Sequence, residues 1–191
     1  MTSNDASVAS SEAQVVRSKS FFTPIRISRM AILIALSVVG AFIKIPTPTG
    51  DAGLDSVPAY FAAMMKKWDW KEAAIIAVLA RLLAAAVVGF PLGLPIQVAL
   101  GVLNAAWVAV IARVARLRFG YIAAIVATIL FAVVLSLTAS PAIYIAGLGM
   151  NYPAAIAIAI AGLPGLAVAA GLAVIIAVAA AKAVENTALA K

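Results

Sequence analysis

The stretch IKIPTPTGDAGLDSVPAYF, residues 43–61, interrupts an apolar run with three prolines, two glycines and two aspartates, and it follows Gly40 by only three positions. It gathers Lys44, Asp51, Asp55 and Ser56, residues that pair charges and hydrogen-bond the polar groups of a small molecule. Arg81 lies in the middle of a second apolar run. A central arginine costs at least about 2.5–3.5 kcal/mol to insert into a bilayer, so it must face a protein interior or a watery cavity. It either lines a cavity or bridges helices through backbone carbonyls or Asp55. Gln97, Gly101 and Asn104 recur at i, i+4 and i+7, which puts two amides and a glycine on one helix face. Such amides bond to a neighbouring helix or to a ligand. Tyr144, Asn151 and Tyr152 form a further polar group among glycines and prolines.

The chain has no cysteine and no histidine. Disulfides, thiol nucleophiles, His-based metal sites and Ser-His or Cys-His pairs are therefore unavailable. An enzyme would have to use Asp51 with Asp55, or Arg81 with Asp55, and nothing else in the sequence suggests one. No Walker-type GxxxxGK[ST] is present. The sequence reads as a binding protein rather than an enzyme, with no cofactor and no metal.

These residues need elements to hold them, and the composition says which kind. The 191 residues are 65% hydrophobic and 11% charged, with a mean hydropathy of +1.14, which is the composition of a polytopic membrane protein. The net charge of +7 does not point to nucleic acid, because the charges fall between apolar runs.

Residues 1–27 read as a disordered cytoplasmic tail without the order of a signal peptide, and the first apolar run acts as an uncleaved insertion signal. Residues 28–184 form a six-helix membrane domain, and 185–191 a cytoplasmic C-terminal tail. Spans are predicted at about 28–45, 72–89, 95–112, 119–138 and 164–182. Between the first two lies DSVPAYFAAMMKK, a short second helix with Asp55 or Ser56 as N-cap and Pro58 in its first turn. Being too short to span, it needs the preceding loop to dip into the bilayer. Irregular backbone at that depth must be buried in protein or line a cavity, so the loop reads as the wall or lid of a pocket, against a plain surface loop. Residues 139–163 read as an apolar outer loop packed over the bundle mouth with a short helix near 153–161; a longer, tilted last helix starting at Pro153 competes. The fold class is thus an all-α integral membrane protein, a six-transmembrane-helix bundle with a short second helix and pocket-forming outer loops.

All of the 14 Lys and Arg residues except Lys44 and Arg81 fall toward the two chain termini, at the outer limits of the first and last helices or beyond, or in the connections between helices 2 and 3 and helices 4 and 5, the short helix counted as the second. The positive-inside rule then puts both termini in the cytoplasm of a multi-pass protein of a bacterial or archaeal cell membrane. Trp68 and Trp70 fit an interfacial belt and Trp107 fits packing, while Tyr60, Phe90, Tyr144 and Tyr152 are the aromatics on the outer side. On the first helix Ala31 and Ala35 are four apart, a spacing that admits a close neighbouring helix.

Six helices, cytoplasmic termini, this AxxxA pair and a pocket-forming first outer loop together resemble the substrate-binding S components of energy-coupling factor (ECF) transporters. GAFIKIPTPTGDAGLDSVPAYFAA followed by GFPLGLPIQ looks like the S-component group assigned to α-ribazole and related cobamide precursors. Members of that group carry histidines in the neighbourhoods where this chain has Arg81 and Gln97. The resemblance covers about residues 28–182. It implies capture of a vitamin-like substrate from outside, docking through Ala31 and Ala35 on a transmembrane coupling subunit, and uptake driven by two ATPase subunits. The competing class is a stand-alone secondary transporter or channel for a small metabolite. Such a protein would usually carry an acidic coupling residue inside the membrane, whereas here the acidic residues fall at helix ends or in loops.

Overall fold

The computed structural model describes residues 21–47, 50–89 and 94–189. Six helices and one β-hairpin make up the described chain: α1 (Pro24–Phe42), β1 (Lys44–Thr47), β2 (Gly50–Gly53), α2 (Val57–Met64), α3 (Trp70–Val88), α4 (Leu94–Val114), α5 (Gly120–Leu148) and α6 (Tyr152–Leu189). α1, α4, the first part of α5 and most of α6 are long and apolar enough to cross a membrane. α3 is as long as α1, but Lys71, Glu72 and Arg81 interrupt its apolar character.

α1 begins four residues earlier than the sequence predicts, inside the stretch read as a tail. Thr23 caps it by accepting from the Arg26 N–H at 3.4 Å, and Pro24 supplies a preset first-turn φ. Met30, Leu33, Ser37, Gly40 and Ala41 are buried at the spacing of one helix face. The predicted second helix shrinks to the eight residues of α2. Ser56 holds the N-cap position but has helical φ and ψ and makes no side-chain cap bond. At about 12 Å, α2 cannot span a bilayer. It sits at the centre of the bundle, in contact with α1, α3, α4 and α6. Ala59, Ala62, Ala63 and Met64 are almost wholly buried there, together with Ile76, Val108, Ile111 and Val174.

The stretch before α2 is a two-stranded antiparallel hairpin rather than an irregular loop. Lys44 pairs with Gly53, Ile45 with Ala52, Pro46 with Asp51 and Thr47 with Gly50. Pairing the strands satisfies backbone groups that lipid could not. The hairpin packs against α6 and α1, and the Leu54 N–H donates to the Gly40 carbonyl at 3.1 Å.

The largest correction concerns residues 139–163. They are not an outer loop: α5 runs through Pro141 to Leu148, and α6 starts at Tyr152 and runs through Pro164. The alternative of a longer last helix starting near Pro153 is the one observed, and the extension of α5 to Leu148 is in neither reading. Gly149, with φ of 64°, closes α5 by donating to the Ile145 carbonyl, and Asn151 Oδ1 caps α6 by accepting from the Ala154 N–H at 3.0 Å. The two helices pack along each other, tied by the buried Ser136 hydroxyl donating to the Ala159 carbonyl at 2.9 Å. α6 also continues through residues 185–189, which the sequence assigns to a tail; Tyr121 donates to Glu185 at 2.8 Å and holds that end to α5.

Candidate functional site

Two polar clusters mark opposite ends of the bundle. At the basic end, Glu72 follows the α3 N-cap Asp69 by three positions and is fully buried. Its carboxylate accepts from Arg29 Nε at 2.7 Å and also from the terminal nitrogen of Arg29, and Arg26 pairs with it at 3.4 Å. The Arg29 guanidinium covers the Trp68 ring at 4.3 Å, Arg116 donates to the Trp68 carbonyl, and Arg113 lies 5.4 Å from the Trp70 ring. Lys66 and Lys182 flank the Tyr121 ring. Cations from four separate chain segments thus converge on one end. Glu72 escapes a sequence reading because Asp69-x-x-Glu72 looks like an ordinary capping box.

At the hairpin end, the chain leaves β2 through Leu54 and places Asp55 above α3. Asp55 Oδ2 accepts from Arg81 NH1 at 3.2 Å; the Asp55 side chain is 12% exposed and that of Arg81 35%. The bridge to Asp55 that the sequence allowed for Arg81 therefore exists. Arg81 Nε is buried with no hydrogen-bond partner among the described residues. Across from it, Gly101 of α4 brings backbone close to α3: a Cβ there would lie 3.9 Å from Cβ and Cγ of Arg81. Gln97, one turn toward the hairpin end on the same face, is buried, and its Oε1 has no partner among the described residues either. Asn104 is half-buried one turn the other way. An orphan donor on α3 and an orphan acceptor on α4 therefore lie near the segment that joins the hairpin to α2, which supplies Asp55 to the charge pair.

Residues 26–189 match the family model described as ECF transporter, substrate-specific component. The chain belongs to this family. No curated protein and no solved structure matches it. It is therefore a multi-pass cytoplasmic-membrane protein, a transporter subunit involved in substrate uptake rather than an enzyme.

The remaining predicted site residues of this S component fall into three groups. Lys44 stands exposed on β1, and Ser56 is half-buried beside Asp55. Asn151 caps α6, with Tyr152 exposed beside it, at the turn between α5 and α6. The Asp51 and Tyr144 side chains, and Phe90, lie outside the described residues. Ala31 and Ala35 are both exposed on α1, off the buried seam of Met30, Leu33 and Ser37. Of the other aromatics, Tyr60 is buried in the core and Trp107 stacks on Phe131 at 4.1 Å between α4 and α5. The Trp107 Nε1–H is buried without a partner among the described residues, well toward the basic end from Gln97.

Proposed function

We propose that this S component captures a vitamin or vitamin precursor at the hairpin end of the bundle and passes it inward when docked on a transmembrane coupling subunit driven by two ATPases. The observation that carries the site is the Asp55–Arg81 pair on α3 beside the α4 face that carries, one turn beyond Gly101, the buried carbonyl of Gln97 with no partner among the described residues. Lys44, Asp51, Asp55 and Ser56 order the hairpin and its exit over the ligand, Arg81, Gln97 and Asn104 supply polar contacts beneath it, and Tyr144, Asn151 and Tyr152 close the far side. Ala31 and Ala35 form the coupling-subunit contact; their exposure on a helix of small and apolar residues supports it. Both termini face the cytoplasm, a reading supported by the convergence of Arg26, Arg29, Lys66, Arg113, Arg116 and Lys182 at one end. α-Ribazole is the first candidate substrate, on the resemblance of the 40–63 and 89–97 stretches.

The test is thermal unfolding of the purified protein in detergent against vitamins and precursors, α-ribazole included. A ligand at a hundredfold excess over Kd stabilises by about 2.7 kcal/mol, which raises Tm by about 5–10 °C in a chain of this size. A saturable shift that Arg81→Ala removes supports the site. The reading fails if no compound shifts Tm and no coupling subunit co-purifies.

A further inference from the structure

The same site, if it is the binding site proposed above, carries information about the class of its ligand. Arg81 is half-buried, and its charge is already met by Asp55 at 3.2 Å. Lys44 lies exposed on β1. An anionic ligand would have to compete with Asp55 for the guanidinium and bring its own charge up to a carboxylate that is 12% exposed. Both steps are unfavourable where water is scarce.

What the site does offer is uncharged. Gln97 is 3% exposed, and no described residue donates to its Oε1. Arg81 Nε–H is a buried donor with no acceptor among the described residues. Folded proteins leave few such groups unpaired, because each forfeits a bond it would make in water. A tie between helices would have used them, as Ser136 is used on Ala159. Instead one lies on α3 and the other on α4, where Gly101 keeps the α4 backbone close to the Arg81 stem.

We infer that the site selects a small uncharged molecule carrying a hydrogen-bond donor beside an acceptor, such as the edge of a cyclic amide, a ureide or a neutral heterocycle. Its donor meets Gln97 Oε1, its acceptor meets Arg81 Nε–H, and the carboxylated or phosphorylated form of the same molecule is rejected by Asp55. A site built to make such bonds discriminates strongly, since a ligand that cannot complete them leaves both protein groups buried and unpaired.

Matched pairs that differ only in charge test this: nicotinamide against nicotinate, riboflavin against its phosphate, α-ribazole against its phosphate, each followed by thermal shift and calorimetry on the full-length protein. The stabilising member is expected to be uncharged, with its anionic counterpart weaker by about tenfold or more. Asp55→Asn is expected to narrow that gap. Tighter binding of an anionic member overturns the inference while leaving capture of a substrate intact. A second measurement needs no ligand: Gln97→Leu is expected to raise the Tm of the free protein by about 2–6 °C, because it removes an unpaired buried carbonyl. A lower Tm for Gln97→Leu would make the residue a structural tie and overturn the inference, whatever the ligand panel shows.

Discussion

Gly40 offers the sharpest test of how the hairpin is held over the site. It lies two residues from the end of α1, and a Cβ there would come 2.7 Å from the Leu54 carbonyl oxygen, 3.0 Å from its carbon and 3.4 Å from Asp55 Cα. The obstructing atoms are backbone and cannot rotate away. They are also clamped, since the Leu54 N–H donates to the Gly40 carbonyl at 3.1 Å and to the Ile43 carbonyl at 3.3 Å. For Gly40→Ala to reach ordinary contact, the Leu54 carbonyl must retreat by about 0.7 Å. Overpacking of this kind costs about 1–3 kcal/mol, and the better helix propensity of alanine offsets at most about 1 kcal/mol of it. The expected net loss reaches about 2 kcal/mol, a fall in Tm of up to about 8 °C.

Gly171 in α6 supplies the control. A Cβ there would meet only the side chain of Ile129, at 3.7 Å, so Gly171→Ala keeps the gain in propensity without the clash. It is expected to raise Tm by about 1–4 °C. The same chemical change thus has opposite signs at two positions, both read by thermal unfolding in one detergent. Because Asp55 follows Leu54 directly, Gly40→Ala is also expected to draw the carboxylate from Arg81 and weaken ligand binding, whereas Gly171→Ala leaves it unchanged. If Gly40→Ala melts with or above Gly171→Ala, the close approach at α1 is not the constraint the distances imply.

Two further outcomes follow from the other end of the bundle and from its outer face. Glu72→Leu strands Arg26 and Arg29; their side chains are 36% and 25% exposed and partly resolvate, so the expected loss is about 1–3 kcal/mol in thermal unfolding. The double variant with Arg29→Met should recover most of it, and a single variant as stable as the parent would show that the buried carboxylate does not hold α1 to α3. Ala35→Trp places a large side chain on the exposed side of α1; it should keep ligand binding and Tm but abolish uptake in cells that express the coupling module. Normal uptake would remove Ala35 from the docking surface.

The parts of this fold that the sequence makes legible are those where a local signal decides. α1, α3 and α4 lie within a few residues of their predicted limits because an apolar run suffices to mark them; the caps Thr23 and Asp69, which the sequence reading did not use, fix where α1 and α3 actually begin. The α5–α6 turn carries equally local signals, Gly149 to end one helix and Asn151 with Pro153 to start the next, but Pro141 and Pro164 on either side look like breakers. In a membrane bundle they are not, since neighbouring helices satisfy the carbonyls that proline frees. The hairpin has no such signal: KIPT and GDAG are poor strand formers, and pairing them is dictated by the end of the bundle, which must satisfy their backbone. At the candidate site, an arginine in an apolar helix and an amide face are visible as residue types. Which of them is already paired is a long-range fact, 26 residues apart for Arg81 with Asp55 and 43 for Arg29 with Glu72. That fact changes the chemistry expected of the site. An arginine read alone suggests an anionic ligand, whereas an arginine whose charge Asp55 has met leaves Nε–H and the Gln97 carbonyl as the groups still seeking a partner, and those suit a neutral one.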